Sequence, residues 1–85
     1  MSYQVLFTPR AERELESLPE AARRRIAKKI DALAEEPRPS GIKKLRGHDN
    51  TYRLRAGDYR VLYTIEDRVV TVVVVRVGHR RDIYV

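Results

Sequence analysis

The sequence predicts an α+β fold: an N-terminal strand, an antiparallel helical hairpin, then a three-stranded antiparallel meander, giving one small sheet covered by the helices. Three observations predict it. Apolar residues recur at helical spacing between residues 9 and 33, they alternate between residues 51 and 65, and a nearly unbroken apolar run follows at 69–77. A chain of 85 residues is expected to be one domain, 1–85, burying about 60% of its unfolded surface or a little more.

Residues 3–8 alternate, with Tyr3, Val5 and Phe7 on one side, and read as a short strand. Thr8-Pro9 then starts a helix: threonine can cap it, and proline at the first position leaves no amide hydrogen unpaired. Ala11, Leu15 and Leu18 form its apolar face. Pro19 closes that helix and opens a second, whose buried stripe is Ala22, Ile26, Ile30 and Leu33. Arg23, Arg24 and Arg25 are consecutive and spread over most of a helical turn, so they read as a solvated face rather than one binding stripe. Two prolines, a serine and a glycine between residues 37 and 41 make a loop, which continues through Lys43, Lys44 and Arg46.

The meander follows. Residues 51–55 alternate, with Tyr52 and Leu54 pointing one way and Arg53 and Arg55 the other. Ala56-Gly57-Asp58 is a hairpin turn. Residues 59–65 alternate again, setting Arg60 opposite the Tyr59, Val61 and Tyr63 face, and residues 66–68 make the next turn. The run 69–77 reads as a strand covered on both faces, broken by Gly78. Arg76 inside it is expected to pair with a carboxylate, because an unpaired buried charge is costly. Two short turns can bring Arg60 and the terminal HRRDIYV near Arg53 and Arg55.

Charge narrows the function. Residues 1–37 hold seven Lys/Arg and seven Asp/Glu; residues 38–85 hold eleven and five, and so carry the whole net charge of +6. That asymmetry is the footprint of a polyanion binder, with solubility or an acidic protein partner as the alternatives. The absence of cysteine removes thiolate chemistry and disulfides. The sequence shows no signal-peptide pattern, and its longest wholly apolar stretches are far too short to span a membrane, which predicts a soluble cytoplasmic protein. Gly41 and Gly47 lack the companions of a phosphate-binding loop, and no acidic or histidine cluster has metal-ligand spacing, so no cofactor and no metal are expected.

The order of elements, with YRLR, then GDYRVLY, then VGHRRDIY near the C-terminus, resembles the RelE family of the RelE/ParE toxin superfamily across essentially the whole chain. The resemblance implies the toxin of a type II toxin–antitoxin system, bound by a cognate antitoxin. It also implies an endoribonuclease that cuts mRNA in the ribosomal A site, with the ribosome (16S rRNA and A-site mRNA) as partner. Arg60 and Arg80 match the family's catalytic arginines and Tyr84 its catalytic tyrosine; Arg53 and Arg55 stand where the best-known members have lysines. The ParE branch, whose members inhibit DNA gyrase, and an inactive homologue acting only as a binding or repressor module are the alternatives.

Metal-independent RNA cleavage needs an acceptor for the 2′ proton, cations for the phosphorane charge and a donor for the leaving 5′ oxygen. Arginine suits the charge role through its planar fork but, staying protonated, is a poor general base. Arg53, Arg55 and Arg60 are therefore expected to hold the phosphate, with Lys44 and Arg46 as further phosphate ligands. Arg80 is expected to assist the leaving group, and Tyr84 to orient or deprotonate the 2′-OH. His79 is a further candidate for proton transfer, being the residue there whose ordinary pKa lies near neutrality. Asp49, Asp58 and Asp67 read as turn residues.

Overall fold

The computed structural model describes residues 2–83. In chain order these residues form β1 (Gln4–Phe7), α1 (Pro9–Glu16), α2 (Glu20–Ala32), β2 (Lys43–Lys44), β3 (Thr51–Ala56), β4 (Tyr59–Glu66) and β5 (Thr71–His79). They build a five-stranded sheet of order β1-β5-β4-β3-β2. The predicted meander is its antiparallel centre, β3-β4-β5, and β1 adds to the far side of β5 in parallel. The parallel pairing follows from the helices, which carry the chain from β1 back across one face of the sheet before the meander begins.

Local chemistry sets each element. Thr8 caps α1 by accepting from the Ala11 amide at 3.1 Å, and Pro9 follows in the first turn. Pro19 stands at the head of α2. Ala11, Ile26, Ile30 and Leu33 pack against Tyr52, Leu54, Ala56, Val61, Tyr63, Ile65, Val72, Val74 and Val77, so one sheet face is sealed by both helices. Tyr63 is wholly buried and its hydroxyl donates to the Pro37 carbonyl at 2.9 Å, tying the loop after α2 to the core. Burial pushes that hydroxyl up to about 12, which keeps it a donor.

Several boundaries differ from the sequence reading. Lys43 and Lys44 are not loop but a two-residue edge strand on β3. Ala56 completes β3, leaving Gly57 and Asp58 as the turn. Asp67–Val69 is a single 3-10 turn ending at Val70, whose φ of 49° is left-handed, so β5 starts at Thr71 rather than at 69. Gly78 does not break the strand. It lies within β5 opposite Arg60, and a Cβ there would press on Ile83 at 3.3 Å, so the glycine leaves room for the chain to fold back.

The valine strand is irregular in one further way. Leu62 pairs with Arg76 but Tyr63 pairs with Val74, so Val75 is an extra, bulged residue. Val74 and Val77 both enter the core despite their odd spacing, while Val75 joins Leu45, Leu62 and Ile83 in a small apolar patch on the other face. The expected carboxylate for Arg76 is Glu14 of α1. Its oxygens accept from Arg76 Nε at 3.0 and 3.2 Å and from the Val77 amide at 3.0 Å.

A second network closes the opposite end of the sheet. Arg38 forks onto Asp67 at 2.8 and 3.2 Å, and the Tyr3 hydroxyl donates to the same carboxylate at 2.7 Å. The Arg38 hydrogen bonds, then that from Tyr3, hold the Asp67 carboxyl below its usual value. A carboxyl depressed in the folded state contributes stability fully above its unfolded pKa of about 3.9, and that contribution is lost as pH falls through the lower folded value. Melting temperatures measured from pH 5 down to pH 2 should therefore fall more steeply for the wild type than for Asp67→Asn. Parallel slopes would show that the network adds nothing.

Candidate functional site

The face of the sheet away from the helices carries the cations. Alternation puts Arg53 and Arg55 there, and the β3–β4 register sets Arg55 directly across from Arg60. The next strand brings only Gly78 opposite Arg60, so the centre of this end of the sheet has no covering side chain on β5. Arg80 follows immediately after β5, where its amide donates to the Asp58 carbonyl at 2.7 Å. The site thus draws on three neighbouring strand ends and the turn beyond them.

The grouping leaves an electrostatic mark. The half-buried Arg60 guanidinium is held below its ordinary value, first by burial and then by Arg55, Arg53 and Arg80, with Asp58 acting in the opposite sense. It remains a cation at neutral pH because arginine starts from so high a value. Like charges gathered this way repel one another, and an anion placed among them would relieve the repulsion.

His79 packs edge-on against Tyr59 with ring centres 5.5 Å apart, and its Nδ1 accepts from the Arg81 amide at 3.1 Å. His79 pairs with Tyr59, whose ring packs against the core, so its side chain belongs to the helix-covered side and the structure does not bring it to the arginine face. The chain then curls so that Ile83 packs over Gly78 and into the patch of Leu45 and Leu62. Tyr84 lies outside the described residues. Arg80 also faces the Asp58 carboxylate, 3.9 Å from its Nε, with both side chains largely exposed.

Lys44 and Arg46 stand apart from the arginine group, at the sheet's edge. Lys44 pairs with Tyr52, a core residue, so its position belongs to the helix-covered side; Lys43 is the one that pairs with Arg53. Lys43, Lys44, Leu45, Arg46 and His48 line a cleft of about 320 Å³ at that edge. Lys43 is the cation that sequence reasoning missed, because two residues carry no periodicity from which a strand or a face can be read. Asp58 was missed in a different way. It does sit in a turn, but it also touches Arg80 through both its carbonyl and its carboxylate. Among the described residues no three His, Cys, Asp or Glu side chains gather to hold a metal ion.

Comparison with known proteins agrees with this architecture. The family described as ParE toxin of type II toxin–antitoxin system, parDE, matches residues 5–84. The chain is 40% identical over 85 residues to Toxin RelG of Mycobacterium tuberculosis, covering 99% of this chain and 98% of that protein. It is 37% identical over 82 residues to the mRNA interferase toxin RelE of Escherichia coli strain K12, covering 94% and 85% respectively. In three dimensions it matches a chain of the RelBE2 toxin–antitoxin complex of Mycobacterium tuberculosis with a TM-score of 0.82 and 37% identity, over 94% of this chain and 100% of that one.

Proposed function

Because this chain belongs to the RelE family within the RelE/ParE superfamily of type II toxin–antitoxin toxins, we propose that it is a ribosome-dependent endoribonuclease, acting in the cytoplasm and neutralised by a cognate antitoxin. One observation carries the reading beyond the family: Arg53, Arg55, Arg60 and Arg80 converge on one end of the uncovered sheet face. That is an arrangement for a phosphodiester and its transition state.

In the proposed reaction the ribose 2′-oxygen bonds to phosphorus and the bond to the 5′ oxygen breaks, leaving a 2′,3′-cyclic phosphate and a 5′-hydroxyl. Arg53, Arg55 and Arg60 take up the charge of the phosphorane. Arg80 stands by the leaving oxygen. By family resemblance Tyr84 orients or deprotonates the 2′-OH; His79, which shares the side of Tyr59, is given no part in the reaction. Arginines stay protonated at neutral pH and so serve poorly as general bases; the ribosome then supplies the substrate geometry that lowers the entropic part of the barrier.

The test is a cell-free translation reaction with defined A-site codons and mapping of mRNA 5′ ends. Cleavage within the A-site codon that requires the ribosome is the expected result. Intact mRNA together with blocked gyrase supercoiling would move the chain to the ParE type of activity. Intact mRNA with neither effect would leave only a binding module.

A further inference from the structure

The turn between β3 and β4 is held from two sides. On the helix side, Lys29 Nζ of α2 donates to the Arg55 carbonyl at 3.2 Å. Gly57, at a φ of 63°, lies against the Arg25 guanidinium, into which any Cβ would run. α2 therefore braces the hairpin from behind. On the other side the Asp58 carbonyl accepts the Arg80 amide at 2.7 Å, and the carboxylate stands 3.9 Å from Arg80 Nε. A braced turn is thus the mount for the segment that carries Arg80.

Asp58 is also a negative charge placed among arginines. It acts on Arg60 in the sense opposite to Arg53, Arg55 and Arg80. Its pair with Arg80 is long and solvent-exposed on both sides, the class of ion pair weak enough to be exchanged for a better ligand. A phosphodiester, which accepts two parallel bonds from a guanidinium, is such a ligand.

We propose that Asp58 is a positioning residue for Arg80: its carboxylate is a resident anion that keeps the guanidinium at the arginine face and yields it to the scissile phosphate. The inference rests on the nuclease reading above and deepens it. It makes a prediction that a turn-forming role alone does not. Asparagine suits the same turn, so Asp58→Asn keeps the hairpin while removing the charge. Loss of a negative charge beside the site strengthens attraction for RNA, so KM for ribosome-bound mRNA should fall about threefold. Arg80, no longer held, should lower kcat about tenfold. A simultaneous drop in both constants is the signature, and Asp58→Glu should recover most of kcat.

A second readout needs no RNA. Titrating the protein with inorganic phosphate should move the Arg80 Nε–Hε resonance, and Asp58→Asn should lower the phosphate concentration at half-shift. Equal midpoints, with KM and kcat also unchanged, would overturn the role of Asp58. A wild type that shows the resonance exchange yet leaves A-site mRNA intact would overturn the nuclease reading and keep Asp58 as the resident anion of a phosphate-binding site.

Discussion

Arg60→Ala and Arg80→Ala should each lower single-turnover cleavage of A-site mRNA by roughly 10²- to 10³-fold, the loss typical when one preorganised donor to a developing oxyanion is removed. The loss should fall on kcat more than on KM. In the ground state the phosphodiester carries one negative charge; in the phosphorane it carries more, so the cations gain most where the charge grows. Arg60 is the clearest case, because Arg55, Arg53 and Arg80 hold its guanidinium in unfavourable company until phosphate arrives. Lysine should not rescue either position, since an ammonium lacks the planar fork. Arg53→Ala and Arg55→Ala should lower cleavage as well, and should also weaken RNA binding and reduce the salt slope, by about 0.7 for each single-strand phosphate left without its cation. Undiminished cleavage in both Arg60→Ala and Arg80→Ala would remove these residues from the site.

The same electrostatics supply an internal control. A base whose folded pKa is depressed carries its charge at a cost in the folded state, so removing that charge at neutral pH relieves repulsion. Arg60→Met should therefore melt at the wild-type temperature or above it while activity collapses. An inactive variant that is no less stable cannot owe its inactivity to unfolding, and residues that trade stability for chemistry are the ones expected to behave so.

Periodicity makes much of the fold legible in the sequence, and it fails for identifiable reasons. Ile26 and Ile30 on one helix, and Tyr52 and Leu54 against Arg53 and Arg55 on one strand, are separated by spacing alone, and the structure keeps those separations. The need of Arg76 for a carboxylate follows from the cost of burying a charge, although only the fold names Glu14. The bulge at Val75 leaves no trace, because an extra valine in a run of valines changes no pattern. Gly78 misleads for a related reason. Glycine commonly marks a strand end, but here the missing side chain serves the close approach of Ile83, a contact made by the chain after it has turned back. The arginine grouping depends on register, which alternation does not determine; Lys43 beside Arg53 and Asp58 beside Arg80 are products of register and turn geometry.

Glu14→Ala should be among the most damaging single changes to stability, and the reason ties the helix layer to the site. Its carboxylate satisfies Arg76 Nε and the Val77 amide together, at the point where β5 gains its extra residue. Both side chains of the pair are mostly buried, with 25% and 23% of their surface exposed. Truncation leaves a guanidinium and a bulge amide without their acceptor, a loss of about 2 kcal/mol for hydrogen bonds to a charged group. For a domain of this size that lowers the melting temperature by roughly 10 °C. Glu14→Gln keeps the acceptor and loses the charge, so it should fall between the two. A double-mutant cycle with Arg76→Met isolates the pair: the double variant should be markedly less destabilised than the sum of the singles. Additive losses would show that Glu14 acts through the Val77 amide or α1 packing rather than through Arg76. The consequence reaches the arginine face because the bulge sets which residues of β5 oppose β4. Without it, Val77 and Gly78 exchange sides, and a valine would stand opposite Arg60 where Ile83 now packs over Gly78. Glu14→Ala should therefore lose cleavage even at temperatures where it remains folded, whereas a core truncation such as Ile30→Val, far from the bulge in sequence, should lose stability without that excess.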